Sequence, residues 1–347
     1  MALGDIMNTL KLGLVSFVEH TSKSKNNLIT DGEKRLENLL EEIKYADALG
    51  LDFFGIGEHH RRDYLASSPI TILAAAASVT KNITLGTAVS VLSSEDPVRL
   101  TEQYRTLDLL SKGRAELMVG RGSFIESFPL FGFNLNDYDL LFSERLDLLL
   151  KLNQNNAISW HGKTRAPLND VQIYPTMKKP LKISIGVGGT ESSVIRAAKL
   201  GIPMVIAIIG GNPKYFKRHI DLYKHFYLES GHKLEDMEIT INFHGYIYEN
   251  EADLNQFYET YAAQMNQIGI ERGWSKFTRG RFDYAIGMDG HLLVGDSKYV
   301  AEKIKNILTF LPAQRLLLQF TVGNMPHDKT MNAIRLFATE VKDYLKK

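Results

Sequence analysis

Along the chain, short apolar runs alternate with longer segments in which apolar residues return every three or four positions. The short runs fit strands buried on both faces and the longer segments fit amphipathic helices, so the alternation predicts parallel strands joined by crossover helices. Eight strands are expected, at residues 12–17, 51–57, 83–92, 114–119, 181–186, 203–208, 239–247 and 316–322. After the first, Thr30-Asp31-Gly32-Glu33 reads as a capping box. Leu36, Leu39, Leu40, Ile43, Ala46 and Leu49 then share one helical face, and Gly50 ends the helix. Asp96 as N-cap, Pro97 at the first helical position, the rhythm of Leu100, Gln103, Tyr104, Leu107 and Leu110, and Gly113 beyond the end repeat that signature. Asp328 is expected to cap the last helix, whose Ile334, Phe337, Val341 and Tyr344 form an apolar stripe. Eight such units could also make an open doubly wound sheet, but strands buried on both faces in that number favour an α/β fold closed into a (β/α)8 TIM barrel. Two stretches exceed a minimal barrel and read as insertions after helix 4 and before strand 8. They are 155–179, where 158–160 and 171–174 are expected to pair as a hairpin, and 270–290. No linker or break in composition divides the chain, so residues 1–347 are read as one domain.

Composition then narrows the partners. Lys plus Arg number 41 against 40 Asp plus Glu, without a basic block or acidic tail, so neither nucleic acid nor a membrane surface is expected as a partner, and a small molecule is. The absence of cysteine excludes disulfide frameworks, thiolate metal sites and cysteine nucleophiles, and suits a reducing, cytoplasmic compartment. The segment 69–80, Pro-Ile-Thr-Ile-Leu-Ala-Ala-Ala-Ala-Ser-Val-Thr, is apolar nearly all round, whereas an outer barrel helix should show a polar face. A homodimer through this helix is therefore expected.

In barrel enzymes the reacting groups lie just past the C-terminal ends of the strands. Those positions hold Glu19-His20, then Glu58-His59-His60-Arg61-Arg62, Ser93-Ser94-Glu95, Gly120-Arg121-Gly122-Ser123-Phe124 and Gly186-Val187-Gly188-Gly189-Thr190. The Glu58-His59-His60 cluster lacks the i, i+4 histidine spacing of a helical zinc site, and no metal is expected. One histidine as a general acid or base fits better, because imidazole titrates near neutrality; the structural alternative has Glu58 and a histidine tying loops together. Two glycines flanking Arg121 let backbone amides and a guanidinium approach one anion, the alternative being an ion pair to a carboxylate such as Glu58. Gly188, Gly189, Thr190 and Ser193 open a helix, where free amides and hydroxyls attract phosphate. The chain has no Walker motif, no dinucleotide fingerprint with a downstream ribose acid, and no nucleophile elbow.

Taken in order, GLDFFGIGEHH (50–60), TLGTAVSVLSSEDPVRLTEQ (84–103), LSKGRAELMVGRGSF (110–124), VGGTESSVIRAAKLGIP (187–203) and GDSKYVAEKI (295–304) resemble the bacterial luciferase-like, flavin-dependent monooxygenases. The resemblance implies a barrel that binds FMN at its C-terminal face, receives it reduced from a separate flavin reductase, and uses O2 to oxygenate a small organic substrate. It implies that Glu58 and His59 are the strand-2 acid and catalytic histidine. Ala88 and Val89 would lie behind the flavin ring, Arg121 would bind its phosphate, and Gly189, Thr190 and Ser193 would complete the phosphate end. Gly120 and Gly189 stand where light-emitting members carry Cys and Glu, which points to the wider group rather than to light emission. Within the same resemblance, a deazaflavin-dependent hydride-transfer enzyme and a non-catalytic flavin-binding protein are the alternatives. The stretch 269–290, with Trp274, Phe277, Phe282 and Tyr284, is the expected lid.

Overall fold

Residues 3–20, 28–122 and 124–347 are described in the computed structural model. A short helix α1 (Leu3–Thr9) leads into β1 (Lys11–Ser16), followed by α2 (Leu28–Ala48), β2 (Phe53–Ile56), α3 (Pro69–Val79), β3 (Thr84–Thr87), β4 (Ser90–Val91), α4 (Pro97–Ser111) and β5 (Ala115–Gly120). The middle of the chain forms α5 (Ser127–Leu130), α6 (Tyr138–Leu152), the β6 (Ile158–Trp160) and β7 (Leu168–Val171) hairpin, β8 (Lys182–Val187), α7 (Glu191–Lys199), β9 (Met204–Ala207) and α8 (Lys217–Glu229). The last third is β10 (Ile239–Ile247), α9 (Ala252–Arg272), α10 (Arg279–Ile286), β11 (Leu293–Gly295), α11 (Ser297–Phe310), β12 (Arg315–Gln319) and α12 (His327–Leu336).

Strands β1, β2, β3, β5, β8, β9, β10 and β12 pair in parallel in that order, and β12 returns to β1, so the sheet closes into the expected eight-stranded barrel. Each expected strand overlaps one of these eight. The run 83–92 is divided into β3 and β4 by a cis peptide between Ala88 and Val89. Of the expected face of α2, Leu39, Ile43 and Ala46 are fully buried, Leu40 and Leu49 half-buried, and Leu36 is exposed. That helix starts at Leu28, ahead of the expected box at 30–33, whose Thr30 and Asp31 side chains lie outside the described residues, as does Ser123. Asp96 caps α4 by accepting from the amides of Val98 and Arg99. Asp328 does not cap α12: Pro326 stands at that position and Asp328 falls in the first turn.

Both insertions exist, with differences. The second hairpin strand is 168–171 rather than 171–174, because Ile173 turns inward to pack with Leu148, Leu152 and Trp160 instead of continuing the ladder. The region 270–290 holds the end of α9 and all of α10, and the following β11 pairs with the upper end of β10.

The lumen is filled in layers. At the bottom, the guanidinium of Arg315 forms a buried bidentate pair with Glu116 at 2.8 and 2.5 Å and lies 4.4 Å from the Phe53 ring. Above it Val15, Phe53, Met118, Val205 and Leu317 make an apolar cluster separate from the outer core between sheet and helices. At the top, Phe17, Ala88, Val89, Gly186 and Ala207 keep partial exposure although they sit in or next to barrel strands. The C-terminal mouth of the barrel is therefore open above an apolar floor.

Candidate active site

The floor is built from the Ala88–Val89 peptide and from glycines that make room for it. A Cβ on Gly120 would come within 2.7 Å of one Val89 methyl, one on Gly186 within 2.7 Å of the other, and one on Gly55 within 2.8 Å of the Ala88 Cβ. Three barrel strands thus carry glycine where the dipeptide crosses the lumen. The Ala88 amide donates to the Ile56 carbonyl at 2.8 Å and the Val89 carbonyl accepts from the Glu58 amide at 3.1 Å, which fixes the dipeptide to the end of β2.

Beside this floor, His59 is nearly buried and enclosed by rings: Phe17 at 4.3 Å, Tyr64 at 4.7 Å and Phe124 at 5.0 Å between centroids. Burial, reinforced by the positive charges of His60, Arg61 and Arg272, pulls its pKa down to about 3. The imidazole is therefore neutral at physiological pH. Burial also pushes the Tyr64 hydroxyl up to about 12, with the Glu19 charge adding to it. Glu58 does not reach His59. Its carboxylate accepts from the Val91 amide at 2.8 Å and from His60 Nε2 at 2.9 Å, so it ties the end of β2 to β4, as the structural alternative for this cluster has it. Glu95, on the same side, is pushed up to about 7 by burial and then by the charge of Glu58.

Across the mouth lies a polar cluster around Arg121 whose donors suit an anion. Arg121 donates through Nη2 to Thr190 Oγ1 at 3.0 Å, and the Thr190 hydroxyl donates to Ser193 Oγ at 2.8 Å. The other arm of Arg121 pairs with Asp139 at 2.7 Å, and its guanidinium stacks 5.0 Å from the Tyr138 ring. The carboxylate partner is thus Asp139 of α6, not Glu58. Thr190 stands at the N-cap of α7 with no side-chain bond to the helix, while its carbonyl accepts from the amides of Ser193 and Val194. Gly189 has φ +104°, a backbone only glycine adopts readily, and neither it nor Gly188 has any atom near the position of a Cβ. That open space is where a tail carrying negative charge can approach.

The sequence-predicted residues thus converge on one rim, along four consecutive barrel strands. His59 and Glu58 follow β2, Ala88 and Val89 follow β3, Arg121 follows β5, and Gly188, Gly189, Thr190 and Ser193 follow β8. Sequence reasoning did not find the aromatic box of Phe17 and Tyr64, because contact between separate loops leaves no local spacing. It also missed the clasp in which Arg61 bridges Glu126 and Glu271, each at 2.6 Å, holding the end of α9 to the loop after β5. Arg272 covers this contact, 4.3 Å from the Phe124 ring and 5.4 Å from Trp274. Among the described residues no cluster of three or more His, Asp or Glu side chains forms a metal site.

Residues 11–311 match the sequence model of a family described as luciferase-like monooxygenase. The chain belongs to the luciferase-like monooxygenases. The alkanal monooxygenase alpha chain of Photorhabdus luminescens is 25% identical to this luciferase-like monooxygenase over 338 residues, spanning 87% of the chain and 90% of the relative. In fold it resembles a monooxygenase from Streptomyces bottropensis, with TM-score 0.82 and 23% identity over 96% of this chain and 98% of the other. It also resembles the oxygenating constituent of 3,6-diketocamphane monooxygenase from Pseudomonas putida, solved with FMN, with TM-score 0.79 and 17% identity over 96% and 98%.

Proposed function

We propose that this luciferase-like monooxygenase takes FMN in its reduced form from a separate flavin reductase and uses O2 to oxygenate a small organic substrate. One observation carries the reading: an apolar floor with an anion cradle on one side and a neutral, ring-enclosed imidazole on the other. The residues fit the cofactor. A flat tricycle matches the Ala88–Val89 floor in the space left by Gly55, Gly120 and Gly186, and a phosphorylated tail matches Arg121, Thr190, Ser193 and the open glycines. When bound, reduced FMN supplies the electrons that activate O2.

The chain's own side chains do the rest. Arg121, Thr190 and Ser193 hold the tail, and Ala88 and Val89 set the height of the ring. His59 does not titrate near neutrality as expected; held neutral at working pH by burial, it passes a proton through its ring N–H and ring nitrogen beside the floor. Phe17, Tyr64 and Phe124 keep water from that nitrogen, and the Arg61 clasp to α9 closes the ring of side chains from above, so the end of α9 with the segment beyond it serves as the lid. Glu58 acts as a strut, because both its oxygens are engaged away from His59.

The enzyme is read as a cytoplasmic homodimer. On α3 the side chains of Pro69, Leu73, Ala76 and Ala77 turn inward, while Ala75 and Val79 stay exposed, and the neighbouring α4 exposes Leu109 and Leu110. Thr71 and Ser78 are exposed on α3 as well, so its outer face mixes polar and apolar positions, and the apolar side chains left outside on α3 and α4 of a small-molecule enzyme fit a second copy.

Equilibrium titration with FMN, chemically reduced FMN and a deazaflavin cofactor tests the reading. Tightest binding of reduced FMN is expected. Preference for the deazaflavin would replace it with hydride transfer, and tight binding of oxidised FMN with no turnover would make the chain a flavin-binding protein.

A further inference from the structure

The anion cradle has a charge problem. Arg121 faces the mouth, but one arm of its guanidinium is paired with Asp139, so this pair brings little net positive charge to a phosphate that carries nearly two negative charges. A second guanidinium lies in the same layer. Arg196 sits on α7, three residues after Ser193 and therefore on the same face of the helix as the cradle hydroxyls. It stacks 5.3 Å from the ring of Phe142, which lies one turn along α6 from Asp139. Its Nη1 is shielded from solvent and has no hydrogen-bond partner among the described residues. Glu191, the nearest acid on its own helix, is turned away to Arg218 at 2.6 Å. Burial first, and then the charge of Arg121, holds Arg196 below the usual guanidinium range, while Asp139 acts the other way; the two cations are thus close enough to repel. A buried donor without an acceptor beside a second cation is costly unless an anion completes the set.

We infer that Arg196 is the second cation of this site, supplying to the cofactor's tail phosphate the positive charge that Arg121, neutralised by Asp139, does not. The inference rests on the reading that the tail lies at Arg121, and it adds a residue that acts through charge from beneath the cradle. Its role is specific to the phosphate: Ala88, Val89 and His59, on which the ring would lie, stand at the ends of β2 and β3, whereas Arg196 lies on α7.

The test compares binding of FMN and riboflavin, which differ by the phosphate alone, to the wild-type protein and to Arg196→Met, Arg196→Lys and Arg121→Gln, each first checked for an unchanged melting temperature. Arg196→Met keeps an apolar stem on Phe142 and is expected to weaken FMN about tenfold while leaving riboflavin unchanged. Arg196→Lys keeps the charge and should hold FMN within about threefold of wild type. The dependence of FMN binding on salt should become shallower in Arg196→Met and not in Arg196→Lys. If Arg196→Met binds FMN as tightly as wild type while Arg121→Gln loses the preference for FMN, the tail lies at Arg121 and Arg196 has no part in holding it. If the wild-type protein itself does not distinguish FMN from riboflavin, the placement of the tail at Arg121 fails, and the inference with it.

Discussion

Val89 occupies the space that side chains on Gly120 and Gly186 would need: its two methyls stand 2.7 Å from where the respective Cβ atoms would be built. The floor of the mouth is thus set by what two neighbouring strands lack. Adding one methyl at Gly120 has to move Val89 or the backbone of β5. Gly120→Ala is expected to cost about 1–3 kcal/mol of stability through overpacking, and to weaken flavin binding more than that loss alone would. Thermal unfolding together with a flavin titration checks this; a variant with wild-type melting and wild-type affinity would show that the floor yields freely.

His59 is enclosed by Phe17, Tyr64 and Phe124 and has no part in the anion cradle. His59→Ala should leave FMN affinity within about twofold and reduce coupled product formation by at least about a hundredfold, the usual scale for a positioned proton-transfer group. Turnover unchanged in this variant would remove His59 from the chemistry.

The pH dependence follows from burial. His59 and His244 are held down to about 3, and His291 to about 4, in each case chiefly by burial. A histidine depressed in the folded state is protonated first in the unfolded chain, so its contribution is fully present above about pH 6.5 and is lost as pH falls toward the folded value. Unfolding free energy should therefore decline between about pH 6.5 and 4, each buried histidine adding a slope of up to about 1.4 kcal/mol per pH unit. Denaturant titrations at several pH values measure it. The activity profile should show no inflection from His59 near pH 6.5, and one that vanished in His59→Ala would contradict the buried, neutral imidazole.

The Arg61 clasp keeps Phe124 against His59. Replacing Arg61 with Gln removes the bond to both Glu126 and Glu271, and should let water reach the imidazole. NMR titration of the His59 ring is expected to show its pKa rising from about 3 toward the ordinary histidine range. No change would mean that the aromatic box closes without the clasp.

Association should depend on the α3 and α4 face. Light scattering at micromolar concentration is expected to give a dimer, and the double replacement Val79→Asp with Leu109→Asp a folded monomer. A monomeric wild-type protein would end this part of the proposal.

Much of the barrel was legible because its signals are local. Leu39, Ile43 and Ala46 at helical spacing, or Asp96 followed by Pro97, specify their elements without knowledge of distant residues, and all behave as their spacing requires. Ile173 was misplaced for the opposite reason: its choice between pairing and packing was decided by Trp160 and Leu148, which only the folded chain brings near. The site shows the same division. Arg121 and Thr190, 69 residues apart, were each readable as anion ligands from their glycine-rich surroundings, and the structure joins them by a hydrogen bond. That Asp139 is the partner of Arg121, and that Glu58 spends its carboxylate on Val91 and His60, are outcomes of tertiary contact. In the sequence Gly55 lies inside an expected strand and Gly120 and Gly186 at strand ends, and only the packed lumen shows that all three leave room for the dipeptide.

The most direct test of the central claim is a crystal structure with FMN bound. The account predicts the phosphate within hydrogen-bonding distance of Arg121 and Thr190, the ring lying on Ala88 and Val89, and His59 at the ring end. A phosphate bound instead on the β10 and β12 side of the mouth, with Arg121 still paired only to Asp139 and Thr190, would contradict it.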